Sequence, residues 1–412
     1  MNILMINQPL NNRGDESAHK ALVRNLLAKI PTVSIRIIFL NSSISSINAF
    51  KVEDDRVNYI RIGLRKPGKI FGRLWQFSQK ELNKGGSWVW NFDPMMSTII
   101  KHFKWCDWVI NAPGGICLGG FQNWQHLNLL RIGKLLHKPI AYYGRSFGPF
   151  PTVTPKNKEF QIYSQDVLSY FSFLSIRDKE TEKLARSMNL NYVSTVDAAF
   201  LESPCVELPN KVKSLLNSSP YIVFVPNILI WHYAYEGKIS VSEIVEFYSS
   251  MAKIILKTKK CNIVMLPQTF LFGNYQNDDI HLFHDIAYHL NDKRVIIIPD
   301  TYNSDVQQTI ISNSQLVIGA RYHSIVFAIN NNIPFIALSY EHKIEGLLQT
   351  LGKKDCMIDI TMDILTFNGR EEILKTVKNM IDSCRNDTTA TVKAKEISKR
   401  CFQLLVEKLK DN

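Results

Sequence analysis

Long apolar runs are missing from this 412-residue chain: 45% of its residues are hydrophobic, yet no stretch approaches the roughly 18 that a membrane span needs. The opening, Met1 to Gln8, has neither a basic n-region nor a long apolar h-region, so a cytoplasmic protein is expected. The seven cysteines, at 106, 117, 205, 261, 356, 384 and 401, include no Cys-x-x-Cys pair and no partner histidines at zinc-finger spacing. That excludes the common zinc modules and leaves reduced, mostly buried thiols as the expectation. Internal repeats and low-complexity tracts are also missing. Acidic residues are in short supply, 37 against 49 Lys and Arg, for a formal net charge of +12. Such a surplus suits nucleic acid, an anionic membrane surface or phosphorylated small molecules, and alone it does not choose among them.

What is present is enough apolar material for two cores, and two domains are the default at this length. The first run, Asn2 to Asn7, reads as a buried parallel strand, and from Asp15 onward Ala18, Ala21, Leu22, Leu26 and Ile30 recur at helical spacing. Further strand-like runs fall at Ser34 to Leu40, Val57 to Ile62, Trp108 to Ala112, Pro139 to Gly144 and Phe173 to Ile176. Pro204, Pro209 and Pro220 with Asn217, Ser218 and Ser219 mark a linker. The second half restarts the alternation, with strands at Tyr221 to Val225, Asn262 to Leu266, Arg294 to Ile298, Gln315 to Gly319 and Pro334 to Leu338. Helices are expected near 241–256, 279–290, 303–312 and 323–331, and a last one from Thr388 to Leu409. The fold class is therefore α/β: two doubly wound, Rossmann-like domains facing a cleft, with ligands beyond the carboxyl ends of the strands. The expected boundaries are 1–202, a linker at 203–220, 221–385, and a C-terminal helix at 386–412.

The most informative segment is Val317 to Ala328, a strand ending near Gly319 and a helix starting near His323. The turn between them carries Arg321 and His323. Backbone NH groups, a helix dipole and a planar guanidinium there make an anion site. The competing structural role is an Arg321 ion pair with a carboxylate between the domains and a His323 helix cap. Ser175 to Thr181 similarly ends a strand at Arg177 and Asp178, where a local ion pair is the alternative. In the loop Asn11 to Glu16, Gly14 permits a tight turn, and Asp15 or Glu16 is placed either to accept from a sugar hydroxyl or simply to cap the helix. The glycine-rich Pro113 to Gly120 allows close backbone approach, a weak signal by itself. Tyr143 to Pro149 and Ser339 to Lys343 follow strands and are equally compatible with turn chemistry. His281, His284 and His289 share one helix without metal-site spacing, so no metal is expected. From Lys51 to Gly85, nine basic residues against four acidic ones are interleaved or flanked by Phe71, Trp75, Phe77, Trp88 and Trp90. A solvated loop is the plain reading, and peripheral contact with a membrane surface is the other.

Taken in order, Asn7 to Glu16, Gly114 to Gly120, Tyr143 to Pro149, Ser175 to Thr181, Val196 to Phe200, Gly319 to Ala328 and Ile333 to Lys343 resemble the polysaccharide pyruvyltransferase family. The most specific piece is the Arg-x-His-Ser turn followed by Pro-Phe-Ile-Ala-x-x-Tyr-Glu-x-Lys. The resemblance implies a fold similar to glycosyltransferase type B, with the acceptor on the N-terminal domain and the donor on the C-terminal one. It implies phosphoenolpyruvate as donor, a sugar or lipid-linked oligosaccharide as acceptor, no other cofactor and no nucleic acid. The donor residues implied are Arg177, Arg321 and His323, extended here to Tyr322, Ser324, Arg145 and Lys343. For the acceptor the set is Asn12, Asp15, Glu16, Gly114 and Gly115. His323 and Arg321 are the expected catalytic groups, with Asp15 or Glu341 taking protons from the sugar. A nucleotide-sugar glycosyltransferase of the same architecture and a non-catalytic anion-binding scaffold remain open alternatives.

Overall fold

The computed structural model describes residues 1–63, 77–78, 80–82, 84, 93–119, 122–232, 234–270, 278–385 and 387–411. Of the basic aromatic stretch, Phe71, Trp75, Trp88 and Trp90 lie outside the described residues. The chain divides into two compact units. Unit 1 is Met1–Leu10, Ala18–Leu201 and Ile397–Asn412, and unit 2 is Asn11–Ser17 with Glu202–Glu396.

Unit 1 contains β1 (Asn2–Ile6), β2 (Ser34–Leu40), β3 (Val57–Ile62), β4 (Trp108–Asn111), β5 (Gly114–Leu118), β6 (Ile140–Tyr142), β7 (Arg145–Phe147), β8 (Phe173–Ile176) and β9 (Val193–Ser194). Seven of them form a parallel sheet in the order β3-β2-β1-β4-β6-β8-β9. Successive side chains of a strand point to opposite faces. Ile3 and Met5 accordingly join one buried cluster with Leu22 and Ile110, while Leu4 and Ile6 join another with Ile99 and Val109. Both faces of the sheet are thus covered, which is why its strands read as continuous apolar runs. Emptying one such position, for instance Ile3→Ala, costs about 2–5 kcal/mol.

β5 and β7 form a separate two-stranded parallel sheet. Neither segment carries apolar alternation, and both stand where the sequence predicts loops. Their approach depends on glycine: at φ 155° Gly119 lies so near Gly148 that an added Cβ would stand 2.6 Å from its carbonyl oxygen.

Unit 2 contains β10 (Tyr221–Val225), β11 (Asn262–Met265), β12 (Val295–Ile297), β13 (Val317–Gly319), β14 (Phe335–Ser339) and β15 (Met357–Asp359). All are parallel, in the order β12-β11-β10-β13-β14-β15. Counted from its first strand this is the 3-2-1-4-5-6 order of dinucleotide-binding folds, whose crevice opens where the order reverses, here between β10 and β13. The helix Asp279–Leu290 has the bounds expected from its periodicity, and Tyr322–Asn330 begins one residue earlier than expected. The segment read as a linker carries a short helix, Asn210–Leu216.

Candidate active site

β13 sets the stage in unit 2. Ala320 continues the strand pairing by donating its N–H to the Val225 carbonyl at 2.8 Å, and Arg321 then turns the chain into helix Tyr322–Asn330. Arg321 stands at the N-cap with extended backbone (φ −93°, ψ 129°), and its side chain is directed elsewhere. Nε donates to Asp279 Oδ1 at 3.0 Å, Nη2 donates to Thr269 Oγ1 at 3.2 Å, and Nη2 also ion-pairs with Asp279. Asp279 is held in turn by the N–H groups of Gln268 (2.8 Å) and Thr269 (3.0 Å) on Oδ2. Arg321 thus does pair with a carboxylate, but one of its own unit and not of the other, and the pair orients the guanidinium. Burial opposes the Arg321 charge, but Asp279 together with Tyr340 and Tyr248 outweighs it, and the pKa of Arg321 is raised. The hydrogen bonds of the guanidinium to Asp279 and Thr269 run through Nε and Nη2.

His323 is buried, with its ring edge-on to Tyr322 (5.0 Å between centroids, 84°). The segment Asn11–Ser17 belongs to the same unit and is fixed there by backbone bonds from Arg13 N–H to the Gln268 carbonyl (2.8 Å) and from Phe270 N–H to the Asn11 carbonyl (3.1 Å). Gly14 is pressed against the imidazole: a Cβ on it would fall 1.7 Å from the His323 Cγ. Asn12 caps helix Arg13–Lys29: its Oδ1 accepts from Gly14 N–H at 2.8 Å and Asp15 N–H at 3.3 Å. Asp15, read as either cap or acceptor, is thus not the cap, and it sits one residue from the glycine that touches His323.

Several expected ligand groups have structural partners. Glu16 is fully buried, ion-paired with Arg13, and accepts from the N–H (2.8 Å) and hydroxyl (2.9 Å) of Ser304. That geometry makes it a tie between the loop and helix Ser304–Ser312 rather than an acceptor contact. Ser324, also fully buried, donates to the Arg321 carbonyl at 2.6 Å and so shapes the turn from within. Glu341 and Lys343 face each other at 3.6 Å, part-exposed, at the start of helix His342–Leu351.

In unit 1, Arg177 ends β8 and ion-pairs with Asp197, and Asp178 caps helix Lys179–Ser187 through the Thr181 N–H (2.8 Å). Arg145 is fully buried. Its guanidinium donates to the carbonyls of Asn7 (2.8 Å), Ala112 (2.6 Å) and Gly115 (3.2 Å), tying three loop starts together instead of facing a donor. Gly115, beside Gly114 in β5, thus reaches the same knot through its backbone.

Sequence reasoning missed Asp279 and Thr269. The one available signal was an acidic residue opening a helix, and helices commonly begin that way. Among the described residues no group of three or more His, Cys, Asp or Glu side chains is placed to hold a metal ion, and no helix is long and apolar enough to cross a membrane.

Two doubly wound parallel sheets, with a guanidinium and an imidazole at the carboxyl end of a central strand, define an α/β protein of the glycosyltransferase-B type. Solved structures with this fold include UDP-GlcNAc 2-epimerase from Neisseria meningitidis bound to UDP-GlcNAc (13% identity, TM-score 0.56, covering 100% of both chains). S. aureus MnaA with UDP is another (13% identity, TM-score 0.56, 99% of this chain and 96% of that one). The polysaccharide pyruvyl transferase family model matches residues 12–342, and the chain belongs to that family. A relative, the amylovoran biosynthesis protein AmsJ of Erwinia amylovora, is 21% identical over 379 residues, 87% of this chain and 88% of its own.

Proposed function

We propose that the protein transfers the pyruvyl group of phosphoenolpyruvate to two hydroxyls of a sugar in a surface or capsular polysaccharide precursor, forming a cyclic ketal and releasing inorganic phosphate. The observation that carries this reading is the Arg321–His323 turn at the end of β13, with Arg321 oriented by Asp279 and His323 backed by Gly14, in a chain of this family. The AmsJ relative, named for amylovoran biosynthesis, supports a polysaccharide destination.

The donor places a carboxylate and a phosphate around an enol carbon, and Arg321 with the first turn of helix Tyr322–Asn330 answers that charge. Lys343, in the same unit as Arg321, is the further cation of this reading. Protonation of the methylene carbon makes C2 electrophilic, and one sugar hydroxyl adds there as its proton passes to a base. Phosphate then leaves C2, and the second hydroxyl closes the ketal with loss of its own proton. His323 serves as the acid or supports the departing phosphate, because an imidazole ring nitrogen can deliver a proton or donate a hydrogen bond. Asp15, next to Gly14, is the first choice of base, with Glu341 the second. In this reading the reaction takes place in the cytoplasm, and contact of the basic stretch 51–85 with a membrane carrying a lipid-linked acceptor belongs to the same proposal.

A nucleotide-sugar glycosyltransferase is the second reading, favoured by the strand order of unit 2. The deciding experiment measures phosphate release from phosphoenolpyruvate against galactosides, mannosides and N-acetylated sugars, with products read by mass. His323→Ala is expected to lower turnover by about 10² to 10⁴ with the fold intact. Stabilisation by uridine or guanosine diphosphate, with no response to phosphoenolpyruvate, favours the glycosyltransferase.

A further inference from the structure

Unit 1 holds a cavity of about 150 Å³ at the carboxyl ends of β1 and β2, beside the start of helix Trp124–Leu135. None of its described lining residues is Lys, Arg, Asp or Glu. Its polar walls are instead the side chains or backbone of Asn7, Gln8, Ser42, Asn123, Gln125 and His126, interleaved with apolar surface. A phosphate, a carboxylate or a nucleotide diphosphate finds no opposite charge there. A neutral molecule with hydroxyls around an apolar C–H surface finds both kinds of partner.

The walls are held in place. Asn7 takes the left-handed conformation (φ 59°), and its Nδ2 donates to Asn111 Oδ1 at 2.9 Å and to the His126 carbonyl at 3.1 Å. Asn123 Oδ1 accepts from the His126 N–H at 3.0 Å, and Gln8 Oε1 lies 2.8 Å from His19 Nδ1. Burial, reinforced by Arg145, holds the His126 imidazole far below the usual histidine range, so the ring is neutral. Its Nε2 is buried with no hydrogen-bond partner among the described residues, so the wall retains hydrogen-bonding capacity. The volume is well under the roughly 300–1,000 Å³ of pockets for drug-sized ligands, which suits a single ring.

We propose that this cavity takes one neutral sugar residue of the acceptor, bound through Gln125, Ser42 and the amides of its walls. The inference rests on the reading that the acceptor is a polysaccharide precursor, and it moves the expected acceptor contacts away from Glu16 and Asn12, whose side chains the fold already employs.

Saturation-transfer NMR with methyl glycosides of galactose, mannose and N-acetylglucosamine tests it without catalysis. Gln125 is exposed, so Gln125→Ala leaves the fold alone, and Ser42→Trp fills the space. Transfer from at least one glycoside in the wild type is expected, weakened about 2- to 10-fold in affinity by Gln125→Ala and abolished by Ser42→Trp. Thermal stabilisation by phosphoenolpyruvate is expected to persist in Gln125→Ala. Equal transfer in wild type and both variants, or none in the wild type, overturns the assignment. Retained sugar binding with no phosphate release from any acceptor overturns the pyruvyl-transfer reading alone.

Discussion

Gly14 and His323 are packed so closely that no side chain fits between them: the nearest imidazole atoms lie 1.7 and 1.8 Å from where a Cβ would stand. Residues 309 positions apart in the chain are thereby made to act as one wall, and the glycine fixes where the imidazole sits.

Gly14→Ala is therefore expected to push His323 out of place. Turnover should fall by at least about 10²-fold, approaching His323→Ala, while overpacking costs about 1–3 kcal/mol of stability. Steady-state kinetics beside chemical denaturation check it, and a variant with full turnover would separate the imidazole position from the chemistry.

Arg321→Lys keeps the charge and loses the fork that engages Asp279 and Thr269 together. A raised KM for phosphoenolpyruvate and a lower turnover are expected. Unchanged values for both would take Arg321 out of the donor site.

Glu16 separates structure from recognition. Glu16→Gln breaks a buried pair with Arg13, and a loss of about 3–5 kcal/mol is expected from denaturant titration. The acceptor KM of the folded fraction should stay near that of the wild type. A selective rise in that constant would return Glu16 to the acceptor set.

Acid should weaken unit 1. His19, buried between Gln8 and Tyr59, is lowered to about 3, chiefly by burial and then by the charges of Lys20 and Arg24. His126 is lowered too. Below about pH 6.5 the unfolded chain binds protons that these folded imidazoles refuse, so their stabilising contribution is complete above that pH and declines as pH falls. Each contributes up to about 1.4 kcal/mol per pH unit. Unfolding free energies between pH 7 and 4, compared with His19→Gln, should give a shallower slope in the variant.

The regular part of the fold was legible because buried parallel strands are apolar throughout: Tyr221–Val225 and Asp279–Leu290 were bounded to the residue. β5 and β7 were not: β5 opens on two glycines and β7 has only three residues, so neither leaves a periodic pattern. For the site, Arg321 and His323 stood out as a turn motif. Asp279, 42 residues from Arg321, did not, because an ion pair between distant positions leaves no local trace. Arg145 shows the converse: an arginine after a strand looks the same in sequence whether it meets a ligand or three carbonyls.

Helix Thr388–Lys410 has a consequence for how the chain is made. Its Cys401, Phe402, Leu405, Val406 and Leu409 are part of the cluster that covers one face of the β1 sheet. During synthesis its share of that covering arrives last, long after helix Arg13–Lys29, whose Ala18, Leu22 and Leu26 join the same cluster. Completion of this face therefore waits for the translation of unit 2, which ends at Glu396.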